Sequence, residues 1–348
     1  MADPRVERNR SHLARLFAGS FPGHAVVMSA ESACPPLPGD VTCPDRPVGL
    51  WVDRALRQYE AELRVLAELD DDSVPVARIT TGTQLFAAAF GCRVHLFVDS
   101  PPCALPLVET AHQADALVEP EPDAGPLARV YEAAARLRER LGPDVPIRVP
   151  DIQSPFDIAA LIWRKESLYT AVVDDPEAVK RLVSKCTRLL RRFLCRFMAE
   201  VGECSLAHCP DVWAPPELGC WLSEDEAGAM SPAMFEEFCL PPLIELSEAF
   251  GGLFVHCCAT ADHQYPNFRR IPNLRGLNRV FQAPGPRPAI EAFTPGTVLM
   301  VAWTGIEACR EMLDMALRET RFLFNMPAEP LGQAKATYER MREWCPRL

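Results

Sequence analysis

Short apolar runs recur along the chain, each followed by a longer stretch in which apolar residues return every three or four positions. The runs read as buried parallel strands and the stretches as amphipathic helices. The first helix spans about 1–20, where Val6, Leu13, Leu16 and Phe17 recur among arginines, and it is expected to pack outside the core. A strand over 24–28 leads into the polar end 29–32, and 34–49 is a proline-rich loop. A helix over 51–69 carries Leu56, Tyr59, Leu63, Leu66 and Leu69 on one stripe. A strand over 74–80 turns through Thr81-Gly82-Thr83 into a helix ending at Ala89, and 95–98 opens a loop-rich excursion to about 124. A surface helix (126–141) and a strand (145–149) follow, and the strand's polar end leads into an apolar helix over 156–162. Asp174-Asp175-Pro176-Glu177 starts a long basic helix to about 198, with proline early and acid in its first turn.

The strand over 218–222 ends in Ser223-Glu224-Asp225-Glu226, and Ser231-Pro232 starts the next helix with a cap and a first-position proline. That helix delivers the chain to the run 253–255. Strands over 274–281, 297–303 and 321–327 complete the series, the last two separated by a helix over 306–319. This alternation of eight strands with helices predicts an α/β fold, a (β/α)8 TIM barrel. An open doubly wound sheet is the alternative, but no G-x-G-x-x-G follows the first strand. The 348 residues suit one barrel domain over 1–348 with an N-terminal helical extension.

Charge and cysteine usage narrow the function classes. Lys and Arg number 36 against 47 Asp and Glu, and the net charge of −11 argues against nucleic acid or an anionic membrane as partner. No apolar run is long enough to cross a bilayer, and the first residues have no signal-peptide core. The 14 cysteines are scattered, and Cys186, Cys195 and Cys239 lie inside helical patterns, which is not the layout of a disulfide framework. A cytoplasmic protein with free thiols and a small-molecule substrate is expected. The oligomeric state stays open, a homodimer included.

Candidate chemistry gathers where the run 253–255 ends in His256-Cys257-Cys258. Ligands of α/β proteins collect at the carboxyl ends of parallel strands. Side chains alternate on a strand, so His256 and Cys258 share a face and could offer an imidazole nitrogen and a thiolate to one zinc ion. The same residues could equally finish a core strand, since free cysteine is commonly buried. Gln153 and Asp157, near Asp151 at another strand end, could orient substrate or cap the helix behind them. Glu224 and Asp225 could bind metal, carry a proton or begin a helix. Trp303 at a strand end could wall the pocket or pack in the core, while His208 with Cys209 and Asp211, and His263, read as structural. Arg269, Arg270 and Arg275 read as surface charge paired with acids.

Several segments together resemble the uroporphyrinogen decarboxylase superfamily. They are Gln153-Ser-Pro-Phe-Asp-Ile-Ala159, Asp174-Asp-Pro-Glu-Ala-Val179, Ser231-Pro-Ala-Met-Phe-Glu-Glu-Phe238, the His256 strand and Ile271-Pro-Asn-Leu-Arg-Gly276, spread over roughly 5–345. The resemblance implies a (β/α)8 barrel and two enzymatic branches. The decarboxylase branch implies an arginine-rich segment after the first strand and an aspartate after the second. Here those places hold Met28-Ser-Ala-Glu31 and Gly82, so decarboxylation of a poly-acid substrate is the alternative rather than the leading reading. The methyltransferase branch implies His-x-Cys, matched by His256 and Cys258, and a second cysteine on the last strand, where Asn325 or Met326 stands. Glu224, Asp225 or Cys309 could complete the ligand set, and Trp303 and Asn325 are the positions expected to face the cofactor. The resemblance thus implies zinc, a methyl-corrinoid brought by a separate corrinoid protein, and methyl transfer to a small thiol. A catalytically degenerate binding barrel is a further alternative.

Overall fold

In the computed structural model the described residues are 3–30, 46–97, 101–281, 284–328 and 330–347. Six parallel strands form one sheet in the order Ala25–Ser29, Phe322–Pro327, Val298–Ala302, Leu274–Arg279, Leu253–Cys257, Cys220–Ser223. Three short parallel strands, Ala77–Arg78, Ile147–Arg148 and Cys204–Ser205, form a second sheet. A bridge between Gln153 and Ser223 joins the two into the wall of a TIM barrel. The strand Cys204–Ser205 has no counterpart in the sequence expectation. The expected strand over 74–80 pairs only at Ala77–Arg78, and the expected helix over 306–319 stops at Asp314.

Alternation sorts the strand side chains into two cores, as a sheet closed on itself requires. Val26, Leu222, Val255, Leu277, Val301 and Phe324 face the helices. Ala25, Val27, Trp221, Phe254, Met300 and Leu323 face inward. The first helix, Pro4–Ala18, corrects its expected place outside the core. Leu13, Leu16 and Phe17 are fully buried in the inner cluster, and the Phe17 ring lies edge-on to Phe254 at 5.0 Å.

The barrel wall has a seam. No ladder joins Ala25–Ser29 to Ala77–Arg78 among the described residues. The Asp72 and Asp71 carboxylates instead accept the N–H groups of Val26 and Met28 at 2.8 and 2.6 Å. Backbone donors buried at a sheet edge need partners, and two side chains supply them. Beside the seam the loop after Cys204–Ser205 turns into the barrel. Ala207, Val212, Trp213 and Ala214 join the inner core, and Asp211 forms a buried ion pair with Arg148 and approaches Arg78 at 3.5 Å.

Candidate metal centre

The strand Leu253–Cys257 puts the His256 ring on the inward face at the barrel's carboxyl end, and Cys258 follows just beyond. In register with His256 on the neighbouring strand is Asn278, which is fully buried. Its amide nitrogen donates to the Met300 carbonyl at 2.7 Å, so its Oδ1 is turned to His256 Nδ1, 2.5 Å away. Oδ1 can only accept, so Nδ1 carries the proton and Nε2 keeps a lone pair free for a ligand. This outer partner fixes tautomer and ring plane, as metal-binding histidines require.

Asp225 completes the group. Its Oδ1 accepts the Cys258 N–H at 2.8 Å and lies 3.2 Å from Cys258 Sγ. Ligand atoms of Asp225, His256 and Cys258 all lie within 4.8 Å of one another. The set offers nitrogen, sulfur and oxygen, a borderline-soft combination that suits zinc with one position left open. Burial, and then the Asp225 charge, push the Cys258 thiol up to about 11. Alone it keeps its proton at neutral pH, so a cation is needed to make it a thiolate.

The turn presenting Asp225 is clamped from behind. Ser154 Oγ accepts the Asp157 N–H and so caps the helix Pro155–Ile162. The Asp157 carboxyl in turn accepts the N–H groups of Asp225 and Glu226 at 2.8 and 3.0 Å. Glu226 is held by Tyr169 and Lys165 at 2.6 and 2.5 Å. Asp157 is therefore a positioning residue for Asp225, its carboxyl spent on the two backbone N–H groups.

Three further expectations are corrected. Glu224 is fully buried beside Asp157 and Cys239 on the helix side, with no well-formed hydrogen bond to either oxygen. Burial and the Asp157 charge raise its pKa well above the ordinary range, so it is a neutral acid away from the site. Cys309 is also fully buried, its sulfur 3.8 Å from Met326 Sδ, and it is not in the ligand group. Asn325 faces inward, but its amide is spent on the Asp211 carbonyl at 2.9 Å, tying down the inner loop.

Gln153 donates to Asp151 Oδ1 at 2.6 Å, and burial raises the Asp151 pKa. Trp303 does stand at the mouth. Its ring centre is 6.0 Å from that of His256, it is 62% exposed, and its φ of 55° lies in the left-handed region. A bulky residue held at that φ is strained, and such strain collects at functional sites. His208, read from sequence as structural, also reaches the site. Its Nε2 lies 2.8 Å from Ser223 Oγ and its ring centre 6.4 Å from that of His256. Burial holds it well below the usual histidine pKa, hence neutral. Sequence reasoning passed over Asn278 as well, although a lone polar residue on the inward side of an apolar strand was a usable signal.

The model of the family described as uroporphyrinogen decarboxylase (URO-D) matches residues 60–273, more than half the chain. No curated protein matches it. Among solved structures, that of a methyltransferase from Methanosarcina mazei superposes with a TM-score of 0.69 at 16% identity, over 96% of this chain and 98% of that one. At such identity the likeness concerns the fold.

Proposed function

Since this chain belongs to the uroporphyrinogen decarboxylase (URO-D) family, we propose that it is a methyltransferase of that family, zinc-assisted, moving a methyl group from a corrinoid protein to a small thiol. One observation carries the reading: Asp225, His256 and Cys258 place three different donor atoms within 4.8 Å of one another. Zinc held by these three residues would supply a Lewis acid able to lower the pKa of an incoming thiol. Asn278 keeps His256 Nε2 available, and Asp157 holds the turn that aims Asp225. Trp303 gives the mouth an apolar wall. The fold shared with the Methanosarcina mazei methyltransferase agrees with this assignment. Asp225 takes the part that the missing last-strand cysteine would have played, which weighs against a degenerate site.

The decarboxylase alternative draws less support. The inward arginines of the second sheet, Arg78 and Arg148, both face Asp211 and so have a carboxylate from the chain itself. The test is a methyl-transfer assay with methylcobalamin as donor and 2-mercaptoethanol as acceptor, before and after zinc loading. Zinc-dependent thioether formation that Cys258→Ala abolishes supports the assignment. Equal rates in parent and variant refute it.

A further inference from the structure

At the barrel end opposite the mouth, a cleft of about 370 Å³ opens between the segments entering Leu274–Arg279 and Val298–Ala302. Arg269, Asn273, Arg275 and Thr294 give it polar walls and Ile271 and Phe293 an apolar one, and no Asp or Glu lines it. Among the described residues the side chains of Arg269 and Arg275 have no ion-pair or hydrogen-bond partner, and Arg275 Nε is buried without one. Their neighbours behave differently: Arg270 meets Glu236 at 2.7 Å and Arg279 meets Asp262 at 3.0 Å.

A third cation stands nearby. Arg321 donates to the carbonyl oxygens of Leu16, Pro295 and Gly296, which solvate its charge without cancelling it. Burial and the Arg275 charge lower its pKa. The stem of Arg275 is seated against Gly252, where a Cβ would meet its Cγ at 3.0 Å. A chain of net charge −11 thus leaves positive charge uncompensated around one acid-free cleft. Arginine forks match the paired oxygens of phosphates and carboxylates, and a like-charge cluster is relieved by an anion.

We propose that this cleft is an anion-binding site, separate from the metal centre, which takes a small phosphate- or carboxylate-bearing molecule through Arg275 and Arg269. The test is calorimetric titration of the full chain at low ionic strength with inorganic phosphate and, separately, succinate. Parent, Arg275→Gln, Arg269→Gln and His256→Ala are compared. The expected result is saturable binding of at least one probe, weakened about tenfold or more by Arg275→Gln, weakened by added salt, and unchanged in His256→Ala. The probe that binds identifies the head group. If Arg275→Gln fails to fold, Arg275→Lys keeps the charge but loses the fork, and an intermediate loss is expected. No saturable binding of either probe, or binding left within about twofold by Arg275→Gln, would overturn the proposal. Binding abolished by His256→Ala would overturn it too, by placing the anion at the mouth.

Discussion

One peptide bond separates Glu224 from Asp225, and it gives them opposite surroundings. Asp225 points to His256 and Cys258, while Glu224 sits against the helices with its carboxyl neutralised by burial. A neutral buried acid is closely imitated by its amide, so Glu224→Gln is expected to keep its zinc and to unfold within about 1 kcal/mol of the parent. Asp225→Asn removes the charge of a proposed ligand, and zinc affinity should fall by more than the roughly 10–100-fold typical of lost outer-shell partners. Competition with a chromophoric chelator measures both, and an equal loss in the two variants would contradict the assignment. Asn278 works at the same scale, because its one amide orientation decides which imidazole nitrogen is free.

Among the elements, the helix Pro4–Ala18 is a plug for the barrel's amino end, and Phe17 packs edge-on against Trp221 and Phe254 of the inner core. Phe17→Ala leaves a void that neighbouring strands cannot collapse into, and a loss of about 3–5 kcal/mol in chemical denaturation is expected. A value near zero would mean the helix only covers the surface. Next to it, His24 Nδ1 accepts the Phe322 N–H at 3.1 Å, and burial lowers the histidine pKa from 6.5 to about 4. Between those values the folded chain binds fewer protons than the unfolded chain. The stability from neutral His24 is therefore present above pH ~6.5 and lost as pH falls through ~4, up to about 3 kcal/mol. Urea denaturation at pH ~7.5 and ~4.5 reads this slope, and His24→Gln should flatten it. An unchanged slope in that variant would assign the acid sensitivity to other groups.

Across the whole molecule, the barrel was legible because short buried runs alternate with periodic stretches, and the strand ends at Ser223 and His256 were read nearly in place. Faces and partners were harder to read. The stripe of Leu13, Leu16 and Phe17 reveals an apolar face but not that strands cover it. Proximity to a strand end suggested Cys309, yet its helix turns the thiol toward Met326. The seam closed by Asp71 and Asp72, and the loop carrying Asp211 inward, rest on contacts between distant segments and leave no local periodicity to detect. The expected polar end 29–32 extends past the described residues from Glu31 onward.

If Asp225, His256 and Cys258 hold one metal ion as proposed, zinc content per chain reads it out. Elemental analysis of protein purified under reducing conditions, with and without zinc reconstitution, is made beside Asp225→Ala, His256→Ala and Cys258→Ala. About one zinc per chain is expected in the parent, with loss in all three variants. A parent that takes up no zinc after reconstitution, or variants that keep it, would mean that these three residues hold no metal.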